Sequence, residues 1–78
     1  ALQHIKYAVT QEREELVNIT LRLAREASGK TQAQVAREIG VSEQMYQRYE
    51  YGRCEPSVQK AIRIAKAVGS TVEQLWSI

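Results

Sequence analysis

The chain has 78 residues, of which 44% are hydrophobic and 26% charged, and its formal net charge is +2. This length suits one small domain, which buries only about 60% of the surface that its unfolded chain exposes. The lone Cys54 excludes an internal disulfide. The chain has no run of about 18 apolar residues, which would indicate a membrane span, and no basic-then-apolar leader, which would indicate export. We therefore expect a cytoplasmic protein in a reducing compartment.

The charges are distributed unevenly along the chain. Basic and acidic residues balance over residues 1–28, whereas residues 29–66 contain seven basic and four acidic residues. A positive middle beside a neutral N-terminal part is compatible with a surface that faces phosphates. It is equally compatible with an ordinary solvated surface, so the charge pattern alone does not decide.

Start and stop signals predict five helices and therefore an all-α fold. The predicted ranges are 11–28, 32–39, 43–51, 57–68 and 72–77. The first four stretches each end at a glycine, the residue that accepts left-handed backbone just past a helix end. These glycines are Gly29, Gly40, Gly52 and Gly69.

Short polar residues provide the predicted helix starts. Thr31 and Thr71 each begin a Thr-x-x-Gln capping box. The other predicted N-caps are Thr10, Ser42 and Ser57.

Apolar residues at helical spacing define the predicted core. In the first helix Val17, Leu21 and Ala24 share one face, which is widened by Leu16, Ile19, Leu23 and Ala27. The inward positions of the later helices are Val35, Ala36, Ile39, Tyr46, Tyr49, Val58, Ala61, Ile62, Ala65, Val68, Val72, Leu75 and Trp76. Residues 1–9 fit a strand and a helix equally well, because nine residues are too few for period counting.

Residues 31–52 predict a helix-turn-helix. Ala36 is small where two helices must cross closely, Gly40 supplies the turn conformation and Val41 fills the junction. A second short helix starts at once after Ser42. In such a motif the second helix is free to enter a major groove of DNA.

The outer side of the 42–51 helix carries long polar side chains once its two tyrosines face inward. The predicted base-reading residues are Glu43, Gln44, Gln47 and Arg48, with Met45 at the margin. Gln pairs bidentately with adenine, Arg pairs with guanine, and Glu accepts from cytosine. The predicted phosphate-contacting residues are Gln32, Ser42, Tyr51 and Arg53. Taken singly each is an ordinary solvated residue, and the prediction depends on their combination with the turn.

Two runs are similar to the lambda-repressor and Cro-type helix-turn-helix family. The first is Thr31-Gln32…Val35-Ala36…Gly40-Val41-Ser42…Tyr49-Glu50-x-Gly52. The second is Pro56-Ser57-Val58…Ile64-Ala65-Lys66-Ala67-Val68-Gly69…Leu75. The resemblance covers about residues 21–76. It implies a five-helix DNA-binding domain, usually a homodimer on palindromic operators and mostly found in transcriptional regulators.

The resemblance also implies roles for particular residues. Gln32 is similar to the family's phosphate-contacting glutamine, and Arg25 and Glu50 occupy the positions of a structural ion pair under the recognition helix. The base-contacting positions are those of Glu43, Gln44 and Arg48, with Gln47 as a further candidate.

Four residues depart from the family pattern. Tyr46 replaces a usual aliphatic residue, and its ring is expected either to tilt the recognition helix or to bring its hydroxyl to the surface. Lys30 and Tyr51 stand where an apolar residue and Asn are common, and Glu43 brings a negative charge close to the DNA.

The sequence predicts no enzyme. His4 and Cys54 are single examples of their types, the chain has no Asp, and neither metal-ligand spacing nor a Gly-rich phosphate loop is present. We therefore expect no catalytic residue, metal or cofactor.

The predicted function is sequence-specific binding of double-stranded DNA by a homodimeric repressor. The domain would span residues 21–78, preceded by an extension at 1–20 that includes the start of the first helix. Dimerisation would use either that extension or Leu75, Trp76 and Ile78. The alternative is a protein-interaction module, such as an antitoxin, whose residues 1–20 contact a partner protein.

Overall fold

A computed structural model describes residues 18–76, and this part of the chain forms five α-helices. They are α1 (Ile19–Ala27), α2 (Gln32–Ile39), α3 (Glu43–Glu50), α4 (Val58–Val68) and α5 (Val72–Trp76). The predicted all-α, five-helix fold is confirmed. None of the five helices is long and apolar enough to cross a membrane.

In the described part of the chain α1 starts at Ile19, whereas the sequence predicts a continuous helix from residue 11. Asn18 has a non-helical backbone and caps α1, and its side-chain oxygen accepts a hydrogen bond from the Leu21 N–H at 2.9 Å. The predicted helix over 11–28 is therefore wrong at Asn18, because this short amide side chain satisfies a free N–H of the first turn. Thr10, the other predicted cap, and residues 1–17 lie outside the described residues.

Asn18 also ties three parts of the fold together. Its Nδ2 donates to the Leu75 carbonyl at 2.9 Å, and its backbone N–H donates to the Glu50 carbonyl at 2.8 Å. The start of α1 is thus fixed to α5 and to the end of α3.

We expect Asn18→Ala to lower the free energy of unfolding by about 1–3 kcal/mol, because it removes an N-cap and leaves the Leu75 carbonyl without its donor. The matched control is Ser57→Ala, which removes only the cap that Ser57 Oγ provides for the Lys60 N–H and should cost about 1 kcal/mol. Urea unfolding measures both. Equal losses would mean that the bond to Leu75 contributes nothing.

The core lies where α2 packs against both α3 and α4, while α1 and α5 pack against α4 and against each other. Its ten buried residues are Leu21, Val35, Ala36, Ile39, Tyr46, Tyr49, Ile64, Ala65, Val68 and Leu75. The predicted inward positions of α2 and α3 are confirmed.

The predicted apolar stripes of α1 and α4 are too wide. Ile19 is 44% exposed and Leu23 54% exposed, because Arg25 shares the inner face of α1 with Leu21. In α4 the inner face is formed by Ile64, which was not among the predicted core residues, together with the predicted Ala61, Ala65 and Val68. The predicted core residues that are exposed instead are Ala27, Val58 and Ile62.

The predicted caps are largely confirmed. Thr31 forms the complete capping box with Gln34, and Ser42 and Ser57 cap α3 and α4. All four glycines have positive φ. The second predicted box is half formed, because Thr71 accepts from the Gln74 N–H while the Gln74 side chain accepts from the Ser70 hydroxyl.

Candidate nucleic-acid interface

A three-residue turn joins α2 to α3. Gly40 adopts left-handed backbone with φ of +79°, and its N–H reaches the last carbonyls of α2. The Val41 N–H donates to the Ala36 carbonyl at 3.0 Å. Ser42 then caps α3 by accepting from the Met45 N–H at 3.1 Å. Because hydrogen bonds hold both ends of the turn, they fix the direction in which α3 leaves α2.

The two faces of α3 differ in chemistry. Tyr46, Tyr49 and Glu50 are buried against the rest of the domain. The opposite face contains the four predicted base-reading residues, of which Gln47 is half-buried and the others are exposed, namely Glu43, Gln44 and Arg48. The short helix α3 therefore has one face buried against the domain and one polar face turned to the surroundings.

The buried face of α3 is organised around the carboxylate of Glu50, which is fully buried. Arg25 donates to both carboxylate oxygens, from Nε at 2.8 Å and from Nη2 at 3.1 Å. The Tyr46 hydroxyl donates to Oε2 at 2.7 Å, and Gln32 Nε2 donates to Oε1 at 3.0 Å. Four hydrogen bonds from three helices therefore converge on one side chain.

These bonds keep Glu50 ionised in spite of its burial. Burial opposes the charged form, but hydrogen bonds from Arg25, Tyr46 and Gln32 outweigh it and hold the pKa of Glu50 below its ordinary value. The same hydrogen bond to Glu50 raises the pKa of Arg25, and burial together with the bond to Glu50 raises that of Tyr46.

We expect acid to destabilise the fold through Glu50. Because its pKa is lower in the folded state, its contribution is fully present above the ordinary value of 4.5 and is lost as the pH falls through the folded-state pKa. Urea unfolding between pH 7 and pH 2 measures this dependence. Glu50→Gln, which cannot titrate, should show a weaker loss of stability with acid, and an unchanged slope would contradict the assignment.

Tyr46 does not bring its hydroxyl to the surface. That expectation is wrong, because Tyr46 is fully buried and its hydroxyl reaches Glu50 one helical turn further along α3. Their spacing of four residues places both side chains on one helix face and was the available signal in the sequence.

The structure brings Gln32 and Gln47 together. Gln47 Nε2 donates to Gln32 Oε1 at 3.1 Å, and the same nitrogen lies 3.5 Å from Glu43 Oε2. A predicted phosphate-contacting residue on α2 is therefore bonded directly to a predicted base-reading residue on α3.

The other predicted phosphate-contacting residues lie at the two ends of α3. Ser42 caps its N-terminus, while Tyr51 and Arg53 follow its C-terminus. All three are exposed, and the Arg53 N–H donates to the Arg48 carbonyl at 2.8 Å. These residues are separated by the length of α3, so they flank the polar face instead of forming one cluster.

Lys30 has a structural role that the sequence analysis did not identify. Its Nζ donates to the Ala67 carbonyl at 2.7 Å and to Glu38 at 3.0 Å. In addition, the Lys30 carbonyl accepts from Arg25 Nη1 at 2.9 Å. A lysine is suited to this position because its ammonium group reaches a carbonyl near the end of α4.

Comparison with known proteins gives the family. A family model described as helix-turn-helix matches residues 21–75, and the chain belongs to this lambda-repressor and Cro-type family of DNA-binding domains. Members of the family are typically not enzymes.

A relative in Vibrio cholerae serotype O1, the "Cryptic phage CTXphi transcriptional repressor RstR", is 41% identical over 51 residues. The aligned part is 65% of this chain and 46% of that protein, so the chain spans about half the length of the relative. No solved structure matches the chain significantly.

Proposed function

We propose that the chain is the DNA-reading part of a transcriptional repressor, which inserts α3 into the major groove of a specific operator. The observation that carries this proposal is the polar outer face of α3, held rigid by the buried Glu50 network beneath it. The relative from Vibrio cholerae is named a transcriptional repressor, which supports the same function. A protein that binds DNA acts in the compartment that contains the DNA, so the proposal includes the expected cytoplasmic location.

The dimensions of α3 suit the proposed docking. A helix of eight residues is about 12 Å long, comparable to the width of the major groove. Glu43, Gln44 and Arg48 would face the base edges. Ser42 at one end and Arg53 beyond the other would contact phosphates on either side of the groove.

We propose that the repressor is a homodimer whose two α3 helices lie about 34 Å apart, one turn of B-DNA. Leu75 does not offer a dimer contact, because it is 2% exposed within its own core, and Ile78 lies outside the described residues. The better candidate is an apolar depression of about 330 Å³ that includes Val58 and Trp76.

Val58→Glu should then yield a monomer in analytical ultracentrifugation, and an unchanged mass would exclude this surface.

Selection of bound duplexes from a random DNA pool tests the function. We expect enrichment of a short palindrome at low salt. Failure to enrich any sequence would contradict the proposal.

Salt dependence separates DNA binding from the alternative of a protein-interaction module. Phosphate contacts release counterions, so DNA affinity should fall steeply as salt increases. A salt-insensitive complex with a partner protein, combined with failure of the selection, would favour the antitoxin-like alternative.

A further inference from the structure

The Glu50 network continues from the core to the DNA-facing surface. Glu50 accepts from Gln32 Nε2 at 3.0 Å, and Gln32 Oε1 accepts from Gln47 Nε2 at 3.1 Å. The carboxamide of Gln32 therefore links a fully buried carboxylate to the half-buried Gln47 on the outer side of α3.

The chemistry of this series fixes the direction of both amides. The ionised Glu50 carboxylate only accepts hydrogen bonds, and Arg25 and Tyr46 already donate to it. Gln32 must therefore turn its NH₂ group towards Glu50. Its oxygen then faces Gln47, which must in turn direct its own NH₂ group towards Gln32.

A second neighbour makes the same demand on Gln47. Glu43 Oε2 lies 3.5 Å from Gln47 Nε2 and also accepts only. Reversing the Gln47 carboxamide would bring its oxygen against the oxygens of both Gln32 and Glu43. The side-chain oxygen of Gln47, Oε1, accepts no hydrogen bond from any residue in the described part of the chain.

We propose that Glu50 acts through Gln32 to orient Gln47, so that Gln47 presents its carboxamide oxygen to an amino group in the major groove. This inference rests on the proposed docking of α3 in DNA. In that groove the amino groups are N6 of adenine and N4 of cytosine. Gln47 is then an acceptor of fixed direction, Gln32 is its positioning residue, and recognition at this base differs from the bidentate pairing expected of a free glutamine.

The orientation can be tested without DNA by NMR of side-chain amides. In Gln32→Met the Gln47 NH₂ group loses its acceptor at 3.1 Å and keeps only the longer contact with Glu43, so its proton and nitrogen resonances should shift. The exposed Gln44 serves as the control, since no described hydrogen bond joins its side chain to Gln32. Unchanged Gln47 resonances would overturn the proposed coupling.

Base analogues test what Gln47 reads in the selected operator. Purine in place of adenine, or 2-pyrimidinone in place of cytosine, removes the amino group, and 7-deazaadenine removes only N7. At one position, loss of the amino group should weaken binding about two- to tenfold in the wild type and have no effect in Gln47→Met. The proposal would be overturned if the Gln47-dependent loss of binding appeared on removal of N7 or a carbonyl oxygen instead of the amino group. It would also be overturned if no base analogue gave a loss that depends on Gln47.

The role of Gln32 as a positioning residue needs its own control, since it is also a predicted phosphate contact. Gln32→Met should broaden base preference at the Gln47 position while preserving preference elsewhere. Arg53→Ala should weaken all sequences similarly. A uniform loss in Gln32→Met would leave DNA reading by α3 intact but would refute the coupling, whereas failure of the selection itself would refute the proposed function.

Discussion

Replacing Glu50 by Ala should lower the free energy of unfolding by about 3–5 kcal/mol. The substitution removes the one acceptor on which Arg25, Tyr46 and Gln32 converge. It leaves the Arg25 guanidinium, whose side chain is only 11% exposed, with an unpaired charge, and it strands a buried hydroxyl. Thermal and urea unfolding at pH 7 measure the loss.

The matched control for Glu50→Ala is Glu38→Ala. Glu38 also pairs with a basic residue, Lys30, at 3.0 Å, but its side chain is 44% exposed. An exposed pair of this kind contributes only about 0.2–1 kcal/mol. Similar small losses for the two substitutions would contradict a central role for the Glu50 network.

A double-mutant cycle separates two contributions to the lost free energy of unfolding, namely the cost of leaving a buried charge unpaired and the loss of packing. Arg25→Met alone leaves Glu50 without its main partner, so it should also be strongly destabilising. Because either single substitution strands the other charge, the double variant Arg25→Met/Glu50→Ala should lose less than the two single variants added together. Strict additivity would show that the two side chains do not stabilise each other.

Replacing Arg48 by Ala should weaken binding to the selected operator by about 5- to 150-fold, corresponding to about 1–3 kcal/mol. The Arg48 side chain is exposed on the polar face of α3, and no hydrogen bond or ion pair joins it to another residue in the described part of the chain. It is thus available for bidentate pairing with a guanine. Fluorescence anisotropy with the operator and with single-base variants measures both affinity and base preference.

Arg53→Ala is the control for Arg48→Ala, because the two arginines are close in sequence and equal in charge. Arg53 follows the end of α3 and is proposed to contact a phosphate, so its loss should affect all sequences similarly and reduce the salt dependence. Arg48→Ala should relax the preference at one base pair. Identical patterns in the two variants would contradict the division into base-reading and phosphate-contacting residues.

The helix-turn-helix was predictable because it depends on local rules. Gly40 supplies a left-handed turn that other residues adopt only with strain, and Ser42 offers a side-chain acceptor to the first turn of the next helix. Tyr46 and Tyr49 at helical spacing then decide which face of α3 turns inward. Each of these signals acts within a few residues, so it can be read without knowledge of the fold.

The start of α1 was not predictable from periodicity. Apolar and acidic residues continue the helical pattern N-terminal to Asn18, yet the structure uses Asn18 as a cap. The additional reason is tertiary, because the Asn18 amide also reaches the Leu75 carbonyl 57 residues away. A bond over that distance in the chain exists only once α1 and α5 are packed.

By itself the sequence determined the helices α2 to α5, the turn at Gly40 and the residues available on the outer side of α3. The tertiary structure alone decided how those side chains are held, because hydrogen-bond partners such as Gln32 and Gln47 come from different helices. It also decided that Tyr46 turns its hydroxyl to Glu50 and that Lys30 reaches Ala67. Helix periodicity gives the face on which a side chain lies, whereas the direction of its polar atoms depends on the donors and acceptors that packing places around it.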